Sequence, residues 1–266
     1  MKEHKYNATI IGKIQITPDL MVLRVKADEP RNKFIAGQYT YLGLLGKELR
    51  SPNSVVPIKD CNPNKLIIRP YSIASANVET QQFEFYISQV KSGQLTPRLF
   101  NLQQGSRIWL DNDILGLFDL NNTPEGCDIA MVATGTGLAP YISFLRSHLK
   151  EHTNIKLAII HGAAYAWDLG YFSELSLIST MFSNFYYFPT LLKAGEGWAG
   201  LEGHIETHLE SGLLESKAGI VISPEKTHFY LCGNPVMVES VSNLLAKKNY
   251  AKHSKDGKSA LHTEEY

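Results

Sequence analysis

Two glycine turns in the second half of the chain have residue types that suit phosphate binding. Gly135 and Gly137 lie in ATGTGLAP, which follows an apolar run and opens an apolar pattern at helical spacing. Glycine lets the backbone approach a phosphate, and amides at a helix start attract its negative charge. LCGNP, at 231–235, also ends an apolar run, and its cysteine can line a pocket for a flat ring. Each motif alone is also typical of a structural turn, and no nearby base or second cysteine makes Cys232 a thiolate nucleophile.

The first half of the chain has two further segments with anion-binding chemistry. One is RPYSIAS, at 69–75. There Arg69 can donate two parallel hydrogen bonds to a pyrophosphate, Tyr71 offers a ring and a hydroxyl, and Ser72 offers a small donor. The other, KSGQLTPRL at 91–99, has a glycine, a threonine and free amides in a strand-to-helix turn, which suits the same phosphates. The alternatives are a strand with an exposed arginine and an ordinary turn.

The elements that must position these residues differ between the two halves. The first half has short segments of period-2 alternation rich in Tyr, Phe, Ile and Val, which predict an antiparallel β-barrel. These segments are 7–16, 20–26, 39–45, 65–69 and 82–90, with a long proline-containing loop at 46–64.

After the turn at 121–126 the pattern changes to apolar runs that alternate with helical periodicity. This alternation predicts a doubly wound parallel sheet, whose ligands bind beyond the carboxyl ends of the strands, where both glycine motifs lie. The predicted strands are 127–134, 156–163, 185–192 and 228–233, and the predicted helices are 139–152, 204–212 and 236–249. We therefore predict two domains, 1–124 and 125–266.

Composition excludes several classes of protein. The 266 residues carry 26 basic and 26 acidic side chains, without the basic excess of a nucleic-acid or membrane-surface binder. Cys61, Cys127 and Cys232 form no CxxC pair, so no zinc ribbon, four-cysteine iron–sulfur cluster or disulfide framework is expected. No signal peptide is evident, and no apolar run reaches the roughly 18 residues of a membrane span. We expect a cytoplasmic protein without a metal.

The order of these motifs is more informative than any one of them. RPYS, GQLT, GTGLAP, CGNP and a tail ending in Glu-Glu-Tyr follow one another as in ferredoxin/flavodoxin–NADP⁺ reductases of the bacterial type, and the resemblance covers nearly the whole chain. The resemblance implies an antiparallel FAD-binding barrel followed by a pyridine-nucleotide-binding α/β domain, with FAD as cofactor.

The resemblance also implies a flavin site. Tyr71 would pack on the isoalloxazine, and Tyr266 would cover its other face and move aside for nicotinamide. Glu264 matches a carboxylate linked to flavin protonation. The implied FAD-binding residues are Arg69, Pro70, Tyr71, Ser72, Tyr86, Gly93, Gln94, Leu95, Thr96, Thr136 and Tyr266. The implied catalytic residues are Ser72, Cys232, Glu264 and Tyr266.

The implied nucleotide site departs from the family in one respect. Members that use NADPH place arginines around the 2′-phosphate, whereas the matching segments here are GAAYAWDLGY, LLKAGEG and GHI. Lys193 and His204 are the substitutes, although His204 can equally be a solvated residue at a helix start. We favour NADPH, and NADH stays open. The implied NADP-binding residues are Gly135, Thr136, Gly137, Lys193, His204, Cys232, Gly233, Asn234 and Pro235.

The function implied by the resemblance is electron exchange between NADP(H) and ferredoxin or flavodoxin by a monomeric enzyme, with hydride transfer to flavin N5 and one-electron steps to the carrier. One alternative is an NADH-dependent flavoprotein reductase that feeds a separate iron–sulfur carrier or an oxygenase. Another is a flavin-bearing subunit of a larger complex. Lysines at 247, 248, 252, 255 and 258 either form a basic rim that steers an acidic carrier or are a solvated helix end and loop.

Overall fold

The computed structural model describes residues 6–55, 57, 61–251 and 259–265. By their contacts these residues form two compact units. The first comprises the residues up to Asp119 together with Ile142–Ser147, and the second comprises Leu120–Tyr141 and the residues from His148 onward. One unit contains an antiparallel sheet and the other a parallel sheet with helices, which confirms the predicted fold class. The division at residue 124 stays a prediction.

The first unit is built on six antiparallel strands. They are β1 (Ala8–Thr17), β2 (Leu20–Ala27), β3 (Tyr39–Leu45), β4 (Leu66–Ser72), β5 (Gln82–Ser88) and β6 (Arg107–Leu115). Their order is β4-β3-β6-β1-β2-β5, and a bridge between Ile73 and Phe85 joins the two ends into a barrel. Apolar residues of every strand fill its interior, among them Ile10, Leu42 and Leu110. The inward-facing apolar residues of the six strands therefore form one hydrophobic core.

Bounds were not predicted for two elements of this unit, a strand that was missed and a helix that was expected only after the strand-to-helix turn at 91–99. Strand β6 has its apolar alternation only at Ile108 and Leu110, because polar residues follow at 111–113. Helix α1 (Thr96–Asn101) is shorter than two turns and begins with Pro97 in its first turn. Such short or half-polar segments carry little periodicity, so tertiary pairing decides them.

The second unit is a parallel sheet of six strands. They are β7 (Asp128–Thr134), β8 (Leu157–Ala163), β9 (Phe185–Leu191), β10 (Leu201–Glu202), β11 (Thr227–Gly233) and β12 (Leu261–Glu265), in the order β10-β9-β8-β7-β11-β12. The chain runs outward from β7 through β8, β9 and β10, and then returns to place β11 beside β7. The direction of winding therefore reverses between β7 and β11, and this reversal is where doubly wound sheets bind ligands.

Among the described residues, four α-helices accompany this sheet, and their bounds differ in part from the predictions. They are α2 (Ala139–His148), α3 (Phe172–Met181), α4 (Ile205–Glu210) and α5 (Pro235–Ala246). Helices α2, α4 and α5 end before the predicted limits of 152, 212 and 249. Helix α3 was not predicted, because Leu175 is its one buried residue among those described. Among the described helices, none combines the length and apolar character needed to cross a bilayer.

A buried arginine fixes the turn before helix α1. The Arg98 side chain is 2% exposed. Its guanidinium donates to the carbonyl oxygen of Gly46 at 2.6 Å and to that of Gln94 at 2.7 Å. Arg50 donates to the carbonyl oxygen of the neighbouring Gly93 at 2.9 Å. Two cations therefore hold the 93–96 turn against the end of β3.

A polar cluster fixes strand β12 at the edge of the parallel sheet. His228 Nδ1 and His262 Nε2 lie 3.1 Å apart, and the His262 ring stacks on Tyr230 at 4.3 Å between centroids. The Tyr230 hydroxyl in turn lies 2.7 Å from the hydroxyl of Thr123. Burial and the neighbouring His228 lower the pKa of His262 to about 4, and burial also lowers the pKa of His228. Both rings are thus neutral at pH 7.

Replacement of Arg98 tests the anchoring of the turn. Arg98→Ala leaves two buried carbonyl oxygens without their donor, so we expect a loss of about 2–4 kcal/mol in the free energy of unfolding. Arg107→Ala is the control, because its pair with Asp28 is solvent-exposed and worth at most about 1 kcal/mol. Urea unfolding of the three proteins measures the difference. Equal losses in both variants would contradict the anchoring role.

The histidine pair predicts how stability depends on pH. A histidine whose pKa is lower in the folded state than in the unfolded state destabilises the fold as pH falls below about 6.5. Between pH 7 and pH 5 the native protein should therefore lose about 1–2 kcal/mol that His262→Gln does not lose. The exposed His204→Gln variant should behave like the native protein. Urea midpoints at the two pH values measure this, and parallel curves for native and His262→Gln would refute it.

Candidate functional site

The turn after β7 and the end of β11 meet at the winding reversal. Gly233 has φ of 139°. A Cβ at this position would lie 2.5 Å from the Thr134 hydroxyl oxygen and 2.6 Å from the Thr134 carbonyl oxygen. The Asn234 amide donates to that hydroxyl at 3.0 Å. Only glycine permits this approach of the two backbones, so Gly233 brings the two predicted nucleotide motifs together.

The glycine turn after β7 is open on its outer side. Gly135 has φ of 55°, and no heavy atom within 4 Å would meet a Cβ placed there. Residues Gly135–Leu138 form one 3₁₀ turn, in which Gly135 is exposed, Thr136 is half-buried and Gly137 is buried. Neither this turn nor the first turn of helix α2 contains an acidic residue. The geometry suits an anion against the backbone amides.

The start of helix α5 forms the second half of this edge. The Asn234 side-chain oxygen accepts a hydrogen bond from the Val236 amide at 2.8 Å and so caps the helix, and Pro235 occupies its first turn. The first turn contains no acidic residue. Asn234 and Pro235 therefore shape a helix start that points its positive end at the same edge.

Strand β12 brings a carboxylate to this edge. In the β11–β12 register Cys232 lies opposite Glu264, and the thiol donates to Glu264 Oε2 at 3.8 Å. Cys232 is fully buried. Burial, and then the charge and hydrogen bond of Glu264, raise the pKa of the Cys232 thiol well above its ordinary value. The thiol stays protonated at neutral pH, so Cys232 can line a pocket but cannot act as a nucleophile.

The remaining nucleotide candidates lie at the carboxyl ends of the next strands. Lys193 follows β9, is exposed, and donates from Nζ to the Tyr165 hydroxyl at 3.1 Å. His204 follows β10 and is the exposed N-cap of helix α4, without a side-chain capping bond. The Gly203 amide donates to the carbonyl oxygen of Leu191 at 2.8 Å, which ties these two loops together. Both substitutes for the absent arginines thus lie on one edge.

In the first unit, the RPYS candidates lie in strand β4. Arg69 and Pro70 are exposed, and Ser72 is half-buried beside Tyr39 of β3. The Tyr71 ring packs edge-on against Phe85, with 6.5 Å between centroids. Burial raises the pKa of the Tyr71 phenol, against the opposing charge of Arg69. The phenol is therefore protonated and able to donate.

The second flavin segment is a rigid turn. The Thr96 hydroxyl accepts a hydrogen bond from the Val90 amide at 3.0 Å, and a Cβ at Gly93 would lie 3.0 Å from the Val90 carbonyl oxygen. Leu95 is buried in the barrel core, whereas the carbonyl oxygen of Gln94 is held by the arginine described above. Thr96 and Leu95 thus fix the shape of the turn.

The structure describes Tyr86 but not Tyr266 among the remaining predicted site residues. Tyr86 is 4% exposed and pairs with Val22 across β5 and β2. Tyr266 lies outside the described residues, as do three of the five predicted basic-rim lysines. Lys247 and Lys248 are exposed beyond helix α5.

Sequence reasoning missed three structural contributors to this arrangement. Arg98 lies within the segment at 91–99 but was not singled out there, and His228 and His262 lie in no motif. Arg98 bonds to the distant Gly46, and the two histidines are 34 residues apart. The one available signal was the position of Arg98 near a glycine turn, because the burial of its side chain is visible only in the fold.

Known proteins match this chain in both halves. An oxidoreductase FAD-binding domain model matches residues 7–112, and an oxidoreductase NAD-binding domain model matches residues 131–243. A flavodoxin/ferredoxin–NADP reductase of Buchnera aphidicola subsp. Baizongia pistaciae is 32% identical over 91% of this chain and 91% of the relative. The reductase of that name from Escherichia coli strain K12 is 32% identical over 86% of this chain and 85% of its own.

A solved structure agrees with these relatives. The ferredoxin NADP⁺ reductase of Neisseria gonorrhoeae, with bound FAD and NADP, superposes with a TM-score of 0.83 at 25% identity, over 97% of both chains. Because the identity to named relatives extends over about nine-tenths of the chain and both domain models match in order, this protein belongs to the flavodoxin/ferredoxin–NADP reductase family of FAD- and NADP-binding oxidoreductases.

Proposed function

We propose that this chain is an FAD-dependent reductase that exchanges electrons between NADP(H) and a ferredoxin or flavodoxin. The observation that carries the proposal is the convergence of the Gly135 turn, Cys232 and Glu264 at the winding reversal of the parallel sheet. This convergence brings together backbone amides that can bind an anion, a neutral thiol that can line a pocket, and a carboxyl group. The membership of the chain in this family supports the same function. We also propose a cytoplasmic monomer, as the sequence predicts.

The donor set of the first unit fits FAD. Arg69 is an exposed guanidinium that can fork onto a pyrophosphate, and the rigid 93–96 turn offers backbone amides to the same group. Tyr71 supplies a protonated phenol and an aromatic ring, and Ser72 supplies a hydroxyl. When bound, FAD supplies a ring that accepts two electrons together and releases them singly. In this proposal the buried Tyr86 shapes the same flavin site, and Pro70, Gly93, Gln94, Leu95, Thr96, Thr136 and Tyr266 complete it.

The proposed nucleotide site uses the edge of the parallel sheet. The Gly135–Gly137 turn and the start of helix α5 would receive the pyrophosphate, and the Cys232–Gly233 corner would line the nicotinamide pocket. Because the thiol stays neutral, it would add no charge to the pocket that holds the nicotinamide. The nucleotide residues of the proposal are Gly135, Thr136, Gly137, Lys193, His204, Cys232, Gly233, Asn234 and Pro235.

Glu264 has the proposed role of holding a proton near the flavin. Its backbone is fixed by the β11–β12 register, and its Oε2 accepts from the Cys232 thiol at 3.8 Å. A carboxyl group so placed can exchange protons as the charge of its surroundings changes. Ser72 is the proposed hydrogen-bond donor to the flavin, and Tyr266 the proposed cover of its ring.

A second candidate function is an NADH-dependent reductase for a separate iron–sulfur carrier or an oxygenase. The observation that favours it is the absence of arginine from residues 162–171, 191–197 and 203–205. Lys193 offers one point charge in place of a bidentate fork.

Rapid mixing with the two nucleotides tests the proposed function. We expect the purified protein to be yellow, its flavin absorbance to bleach faster with NADPH than with NADH, and the reduced protein to pass electrons to a ferredoxin or flavodoxin. Faster bleaching with NADH would favour the second candidate. A colourless protein that does not take up FAD, or one that neither nucleotide bleaches, would refute both.

Substitution of Glu264 tests its proton-holding role. In Glu264→Gln we expect the hydride-transfer rate to fall by about 10- to 100-fold and its pH dependence to flatten, because the amide cannot exchange a proton in this range. The affinity for NADPH should change little. Glu265→Gln, on the exposed neighbour in β12, is the control. An unchanged pH profile in Glu264→Gln would show that the carboxyl group is only structural.

A further inference from the structure

The outer face of strand β5 carries a buried carboxylate that the proposed chemistry does not yet use. Phe83, Phe85 and Ile87 of this strand point into the barrel core. Glu84 alternates with them, so its side chain leaves the opposite face of the strand, and yet the residue is only 4% exposed. A carboxylate removed from water in this way is costly unless cations or hydrogen-bond donors compensate its charge. The partners of Glu84 therefore determine whether this face of the barrel is stable.

Two arginines share the Glu84 carboxylate, and they differ in their exposure to solvent. Arg146 donates to Oε1 at 2.7 Å, and its side chain is 23% exposed. Arg24 donates to Oε2 at 2.6 Å, and its side chain is 54% exposed. Arg146 belongs to Ile142–Ser147, the part of helix α2 that the contacts assign to the first unit. Because water screens an exposed ion pair, the loss of Arg146 should cost more than the loss of Arg24.

Arg146 also reaches the segment at 73–77, which continues directly from the RPYS motif. Its Nη1 donates to the carbonyl oxygen of Ala74 at 3.2 Å, in addition to the bond with Glu84. The Ala74 amide in turn donates to the carbonyl oxygen of Glu84 at 2.8 Å. One guanidinium thus joins strand β5 to the chain that follows the motif.

Two serines of helix α2 hold the same segment. The Ser143 hydroxyl donates to the carbonyl oxygen of Ser75 at 2.8 Å, and both residues are buried. The Asn77 amide donates to the hydroxyl oxygen of Ser147 at 3.0 Å. Together with the guanidinium, these bonds fix the backbone of the segment at three positions, so its course does not depend on side-chain packing alone.

The elements held in this way carry three of the candidate flavin residues. Tyr71 and Ser72 directly precede the segment at 73–77. Tyr86 lies two residues after Glu84, on the same face of β5, and is also 4% exposed. Contacts behind a binding residue restrict its conformations, so that the site is arranged before its ligand arrives.

We propose that Glu84 and Arg146 are positioning residues of the flavin site. In this role they hold Ser72 and Tyr86 in the arrangement that receives FAD. Neither residue contacts the flavin in this proposal, since both act through the backbone of the segment at 73–77 and through β5. The inference rests on the proposed function, and it gives the buried ion pair a part in cofactor binding.

The test measures FAD release, by its fluorescence, and the visible absorption band of the bound flavin in the purified holoenzyme. Arg146→Ala should raise the dissociation constant of FAD by about tenfold and shift the band, because the segment loses a donor behind the motif. Arg146→Lys should restore part of the affinity, since lysine keeps the charge without the planar guanidinium. Ser143→Ala, which removes one hydrogen bond and little volume, should raise the dissociation constant about threefold.

Arg24→Ala is the matched control, because it removes the exposed partner of the same carboxylate. It should change the dissociation constant of FAD by less than about twofold and leave the band in place. A general loss of stability does not move the absorption band of flavin that stays bound. Equal affinities and bands in Arg146→Ala and Arg24→Ala would overturn the proposal, and so would native values in Ser143→Ala if Arg146→Ala does not fold.

The native holoenzyme separates this inference from the proposed function. If the native protein is bleached by NADPH and the variants keep its FAD affinity and band, only the positioning role is wrong. If the native protein takes up no FAD, the proposed function fails, and the positioning role fails with it.

Discussion

The arrangement of the second unit depends on one close approach between two backbones. Gly233 at the end of β11 lies so near Thr134 at the end of β7 that a methyl group has no room. The approach aligns two motifs that are about 100 residues apart in sequence. It leaves the amides of two helix starts facing one edge, which no single motif provides. A side chain at Gly233 would push the ends of β7 and β11 apart, so the two helix starts would no longer lie at one edge.

Strand β12 adds a carboxyl group to the edge at which the backbone amides lie. Strand β12 adds Glu264 beside a thiol that burial keeps neutral, so a carboxyl group and an uncharged lining share one corner. The strand pairs with β11 along five residues, buries Leu261 in the core, and is further held by neutral histidine rings stacked on tyrosine. Neutral, stacked contacts place the carboxyl group without adding a permanent charge that would compete with it. The same contacts make the placement of this strand sensitive to acid.

The proposed nucleotide-binding groups at the centre of the sheet differ from those at the ends of its outer strands. At the winding reversal, the proposed anion site consists of backbone amides, so recognition there would not depend on side-chain charge. At the end of β9, the proposed contact is instead the exposed side chain of Lys193. A lysine is a point charge on a flexible stem, whereas an arginine fork fixes both angle and distance.

The sequence by itself determined the elements whose signal is local. The alternation of the barrel strands, the apolar runs of β7, β8 and β11, and the glycine turns after them are all readable from short windows, because period and turn chemistry depend on neighbouring residues. These local patterns predict the fold class, and the order of the motifs along the chain indicates the family. Strand β6 and helix α3 were missed because half-polar or exposed elements leave little periodicity in the sequence.

Tertiary structure alone decided the contacts that join distant residues. The pairing of Cys232 with Glu264, the burial of Arg98, and the meeting of Lys193 with Tyr165 all depend on strand order and register, which no local pattern encodes. A buried cation or a neutral histidine is stable only when the surrounding fold supplies its acceptors and excludes water. The sequence therefore determined which groups are available, and packing determined which of them act together.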